Sequence, residues 1–151
     1  MNAINLKHTN SQDPDFRLLI TELDAELRAT YDELMNTYDQ HNIIEKIDTV
    51  VIAYVEGRPV GCGCFKAFDK DAAEVKRMYV RPQFRGMRIS AMVLNELEVW
   101  AASLGYTRML LETGEKQLAA ISLYQKGGYV KSDNYGPYVG LKTSLCYSKT
   151  L

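Results

Sequence analysis

The segment Val80-Arg81-Pro82-Gln83-Phe84-Arg85-Gly86-Met87-Arg88-Ile89-Ser90 carries an apolar strand end through a basic, glycine-containing loop into the start of a helix. Such a junction binds anions, because the first backbone N–H groups of a helix lack intrahelical partners and its dipole is positive at that end. Arg85 and Arg88 would add charge-assisted hydrogen bonds to a bound phosphate. Downstream, Ile89, Met92, Val93, Leu97, Trp100 and Leu104 recur at steps of three and four as far as Gly105, which predicts a long amphipathic helix closed by glycine.

Upstream, the β-branched run from Thr49 to Val55, the turn Glu56-Gly57-Arg58-Pro59 and the run from Val60 to Phe68 predict an antiparallel hairpin. A further strand, Ala73 to Val80, follows Asp69-Lys70-Asp71. Residues 3–8 read as a short strand, and Ser11, Asp13 and Pro14 open a helix whose Phe16, Leu19, Ile20, Leu23 and Leu27 share one face. Residues 31–40 are polar and tyrosine-rich, and read as a second short helix or an ordered loop. After Gly105 come a strand from Arg108 to Thr113, a short helix from Gln117 to Lys126 ending at Gly127-Gly128, a strand opening at Tyr129, and a last strand from Thr143 to Ser148. An antiparallel meander followed by β-loop-α-β-α-β makes a mixed sheet flanked by helices, an α+β arrangement. With 151 residues, no internal repeat and no low-complexity linker, a single domain over residues 1–151 is expected.

Eighteen basic against nineteen acidic residues leave a net charge of −1, which argues against nucleic acid or an anionic membrane as the main partner. No apolar run approaches the roughly 20 residues that cross a bilayer, and the N-terminus lacks a signal layout. The three cysteines, Cys62, Cys64 and Cys146, are odd in number, so a disulfide framework is not expected and a reducing cytoplasm fits. Cys62-x-Cys64 is the spacing of a metal site, yet no Cys or His cluster supplies further ligands, so small buried side chains are expected there and no metal.

Three segments together, Glu74 to Pro82, Arg85 to Ser90 and Ala120 to Tyr129, resemble in order and spacing the GNAT superfamily of acetyl-CoA-dependent N-acetyltransferases. The resemblance covers residues 74 to 130. It implies a central, mostly antiparallel sheet of six to seven strands with about four helices. It also implies acetyl transfer from acetyl-CoA to a primary amine of a small molecule or peptide, directly and in a ternary complex. The family's Arg/Gln-x-x-Gly-x-Gly/Ala loop falls on Arg85-Gly86-Met87-Arg88-Ile89-Ser90, with Arg88 where glycine is usual and Ser90 where Gly or Ala is usual. A side chain at a crowded turn costs what glycine avoids. Ser90 is small enough for the turn and is a candidate helix cap.

By the same resemblance, the backbone of Met78, Tyr79 and Val80 would pair with the pantetheine arm, and Lys126 would lie near the cofactor. Tyr124, within Leu123-Tyr124-Gln125-Lys126-Gly127-Gly128-Tyr129, matches the family's frequent general acid. A phenol with a pKa of about 10 is protonated at neutral pH and can donate to a thiolate. Glu74 matches a glutamate base of histone-type members. A carboxylate of pKa about 4.3 needs burial or a water relay to serve an ammonium, and Glu112 competes for the role. Lys76, Arg77 and Arg81 read as solvated or phosphate-facing charges. Tyr31 and Tyr38, with Glu33 and Asp39, are candidate acceptor contacts, and Tyr138 lies in a region that folds over the acceptor in this family. The resemblance leaves a homodimer open. A CoA-binding or peptide-binding module without turnover, and a transferase for longer acyl groups, remain as alternatives.

Overall fold

The computed structural model describes residues 3–31 and 46–151. Seven strands form one sheet in the order β1-β2-β3-β4-β5-β7-β6. They are β1 (Ile4–Thr9), β2 (Val50–Val55), β3 (Arg58–Ala67), β4 (Ala72–Val80), β5 (Arg108–Gly114), β6 (Val130–Ser132) and β7 (Ser144–Thr150). Three α-helices accompany them among the described residues: α1 (Pro14–Tyr31), α2 (Ile89–Ser103) and α3 (Leu118–Lys126). The mixed, mostly antiparallel sheet that the resemblance implies is therefore present, β4 and β5 forming the parallel pair. The expected helix or loop at 31–40 lies outside the described residues beyond its first position, Tyr31, which ends α1.

Each sheet face has its own core. On one face α1 packs Phe16, Leu19 and Ile20 against Val50, Ile52, Cys62 and Cys64. On the other, α2 packs Val93, Leu97 and Ala101 against Val51, Ala53, Phe65 and Val75, with Tyr124 of α3 joining them. Each large apolar side chain buried in this way contributes roughly 1.5–3 kcal/mol. Cys62 and Cys64 are fully buried, as expected of small apolar residues.

Two irregularities interrupt β4. First, Cys62 pairs with Tyr79 and Cys64 with Lys76, so Gly63 alone faces both Arg77 and Met78. Arg77 absorbs the extra residue at φ +61, a left-handed conformation that costs a non-glycine about 1–2 kcal/mol. The bulge is held by thiols: Cys62 Sγ donates to Arg77 O at 3.5 Å and Cys64 Sγ to Lys76 O at 3.3 Å. Second, β4 pairs with β5 only through Ala72, Ala73 and Glu74. Beyond Glu74, β4 continues on β3 while β5 continues on β7, so the two strands part. Bulges bend the strand that carries them, and this one lies just past the point of separation.

Arg77 of β4 and Arg81 just beyond it are held by carboxylates of α1 and not left to solvent, which corrects the expectation for both. Arg77 Nη1 meets Asp24 Oδ1 at 2.6 Å and its side chain is only 8% exposed. Arg81 makes a two-pronged contact with Glu22, Nε to Oε1 at 3.0 Å and Nη2 to Oε2 at 2.8 Å. Hydrogen bonds from Arg81 hold the Glu22 carboxyl below its usual value of 4.5, against the opposing effect of burial. A carboxyl depressed in the folded state stabilises the fold fully above its unfolded value, and that contribution is lost as pH falls through the folded one. Arg81→Met should therefore be less stable than the parent at pH 6, with the gap narrowing at pH 3. Urea denaturation at the two pH values measures it, and an unchanged gap would remove Glu22 as the partner.

Candidate active site

The parting of β4 and β5 opens a cavity of about 110 Å³. β4 contributes Glu74 to Met78, β5 contributes Glu112, Thr113 and Gly114, and α3 contributes Gln117, Ala120 and Tyr124; Leu23 and Leu27 of α1 and Tyr138 complete the wall. Four of the residues expected at the site, Glu74, Met78, Glu112 and Tyr124, thus meet here, and Tyr138 with them. Tyr38, with Glu33 and Asp39, lies outside the described residues. Lys126 is exposed in the last turn of α3 and does not line the cavity, nor do Tyr79 and Val80, which are buried on opposite faces of the sheet.

Tyr124 is 5% exposed, and its ring meets that of Tyr129 edge-on at 5.8 Å between centroids. Burial, then the nearby charge of Glu112, pushes its phenol well above the ordinary value of 10.0. It stays protonated at neutral pH. Glu74 is also 5% exposed. One of its oxygens, Oε2, accepts a hydrogen bond from Tyr135 Oη at 2.8 Å. Lys76, two residues along the same strand, is pushed below its usual ammonium range by burial, with the Glu74 charge working the other way. A carboxylate and a phenol held protonated therefore open onto one cleft, beside a strand whose second edge is vacated by β5.

The loop at the end of β4 keeps the geometry that glycine was expected to provide. Gly86 sits at φ +83, and Arg88, the departure from the family pattern, takes the left-handed conformation at φ +64. Arg88 is the N-cap of α2 without a side-chain capping bond, so Ser90 lies inside the helix and does not cap it. Residues 85–88 are exposed. The Arg85 guanidinium is engaged elsewhere: Nη2 meets Glu26 at 2.7 Å, and Nε donates to Val80 O at 2.9 Å.

Residues 16–129 match the family described as the Acetyltransferase (GNAT) family. The chain belongs to this family. An IAA acetyltransferase from Azospirillum brasilense is 37% identical over 136 residues, 88% of each protein. A Klebsiella pneumoniae structure provisionally assigned as an acyl-CoA N-acyltransferase superposes with a TM-score of 0.81 at 28% identity, covering 98% of this chain and 97% of that one. A GNAT acetyltransferase from Elizabethkingia anophelis with acetyl-CoA bound gives a TM-score of 0.71 over the whole of both chains. Its 17% identity carries likeness of fold alone.

Within this GNAT chain, three functional features were not read from sequence. These are the bulge opposite Gly63, the hold of Tyr135 on Glu74, and the carboxylates of α1 on Arg77, Arg81 and Arg85. Gly63 between two small cysteines was the available hint of the first. The other two join residues more than 50 positions apart and left no local signal. Among the described residues, no group of three or more His, Cys, Asp or Glu is placed to hold a metal ion, and no helix is long and apolar enough to cross a membrane.

Proposed function

We propose that this chain, acting as one acetyltransferase domain, transfers the acetyl group of acetyl-CoA directly to a primary amine of a small molecule or peptide within a ternary complex. The observation that carries this reading is the convergence of Tyr124 and Glu74 on the cleft where β4 leaves β5. Acetyl-CoA supplies an activated thioester. The vacated edge of β4 at Met78 and Val80 offers main-chain groups to its pantetheine arm, and a main-chain N–H there faces the thioester oxygen. The exposed residues Gly86 to Arg88, leading into the N-terminus of α2, suit the pyrophosphate. Glu74 receives the ammonium proton of the acceptor, directly or through one water, and Tyr124 returns a proton to the departing thiolate. Glu112 is the competing base.

Arg85 can join the pyrophosphate only by leaving Glu26. Both side chains are well exposed, 46% and 36%, and exposed ion pairs contribute at most about 1 kcal/mol, so the exchange is cheap. Arg88 has no ion pair among the described residues and needs no exchange. Arg88→Gly keeps the left-handed backbone and removes the charge, so it should weaken acetyl-CoA binding about 10-fold while changing fold stability by less than about 1 kcal/mol. Isothermal titration measures the first and thermal melting the second. Unchanged affinity would leave Arg88 a loop residue alone.

Isothermal titration of the parent protein with acetyl-CoA, followed by release of free CoA thiol across a panel of primary amines, tests the function itself. IAA, which appears in the name of the Azospirillum relative, is tested beside that panel. Binding with amine-dependent thiol release is expected. No binding at millimolar cofactor overturns the proposal, and binding without turnover on any amine points instead to a CoA-binding module.

A further inference from the structure

Glu74 does not stand alone in the cleft. Tyr135 Oη donates to its Oε2 at 2.8 Å. Tyr135 is itself fixed from three directions. Its ring lies edge-on to Phe68 at 5.2 Å and to Tyr138 at 5.6 Å. It precedes the short turn Gly136–Tyr138 in extended backbone. That turn is clamped by Asn134 Nδ2, which donates to Tyr138 O at 3.0 Å and Leu141 O at 3.1 Å. Burial, then the charge of Glu74, pushes the Tyr135 phenol far above its ordinary value, so it remains the donor at any working pH.

We propose that Tyr135 is a positioning residue for acetyl transfer: it holds one oxygen of Glu74 so that the other is presented to the acceptor amine. This rests on the reading of Glu74 as the proton acceptor. The physical reason is that a glutamate side chain has three rotatable bonds, and a base must lie within hydrogen-bond reach of the proton it takes. The hydrogen bond donated by Tyr135 restricts the carboxylate. The clamped turn places this control on the connection between β6 and β7.

Tyr135→Phe keeps the ring and its packing and deletes only the hydroxyl. It should lower kcat about 10-fold, with the KM for acetyl-CoA and its affinity by titration unchanged. Glu74→Gln should cost at least about 100-fold, and adding Tyr135→Phe to it should cost nothing further, because the tyrosine acts only through the carboxylate. Three results overturn the proposal. In the first, Glu74→Gln is nearly inactive while Tyr135→Phe keeps the parent rate, and the base assignment survives. In the second, Glu74→Gln is fully active, and the base assignment falls as well. In the third, Tyr135→Phe loses acetyl-CoA binding, which makes the residue structural.

Discussion

Tyr124→Phe is expected to lower kcat by roughly 10–100-fold while the KM for acetyl-CoA moves by less than about twofold. The ring is 5% exposed and meets Tyr129 edge-on at 5.8 Å between centroids, and phenylalanine fills the same space, so the fold loses no apolar burial. What is lost is a proton donor at the cleft. Burial and the Glu112 charge hold the phenol above its ordinary range. The folded enzyme therefore keeps this proton through the neutral and mildly alkaline range, and kcat should show no alkaline fall from Tyr124 below about pH 10. Steady-state kinetics from pH 6 to 9.5 on parent and variant settle both points. An unchanged kcat would mean that the thiolate takes its proton from solvent and that Tyr124 is only a core aromatic. A parent rate falling near pH 8 would assign that limb to another group.

The range of the forces involved decided how much of this was legible in the sequence. The helix from Ile89 was readable because its apolar spacing is local, and it ends at Ser103 with Gly105 beyond it at φ +95, as the glycine suggested. The hairpin was readable for the same reason: Glu56 and Gly57 both adopt positive φ between the two strands, and β3 begins at Arg58, two residues earlier than its apolar run. The loop from Arg85 to Ser90 was readable by resemblance, but the state of its side chains was not. Arg85 pairs with Glu26, and no periodicity in α1 announces that its carboxylates serve a loop 59 residues away. Arg77 gave the strongest contrary signal, a charged residue in a strand read as solvated. It is buried because the bulge turns it toward Asp24, a consequence of register that only the paired strands define. Glu74 was identified as a candidate base, whereas its partner Tyr135 sits 61 residues away on a turn.

Gly63→Val is the substitution expected to damage the fold most. A Cβ built at Gly63 collides with Met78 Sδ and comes within 3.0 Å of Leu97 Cδ1 and 3.1 Å of Val93 Cγ1, so the Met78 side chain must move and the apolar face of α2 must give way. Overpacking of this kind costs about 1–3 kcal/mol, and the two further methyls of valine place it at the upper end. For a chain of this size that is a fall in Tm of roughly 5–10 °C. The consequence extends to the site, because Met78 belongs both to the bulge and to the wall of the cleft. Acetyl-CoA affinity should fall alongside stability when measured well below the melting temperature. If the obstruction is the Met78 thioether, Gly63→Ala combined with Met78→Ala should recover part of the stability that Gly63→Ala alone loses, beyond what the two single changes predict by addition. Strict additivity would place the clash on α2, and a Tm unchanged in Gly63→Val would mean that β3 can accept a side chain opposite the bulge.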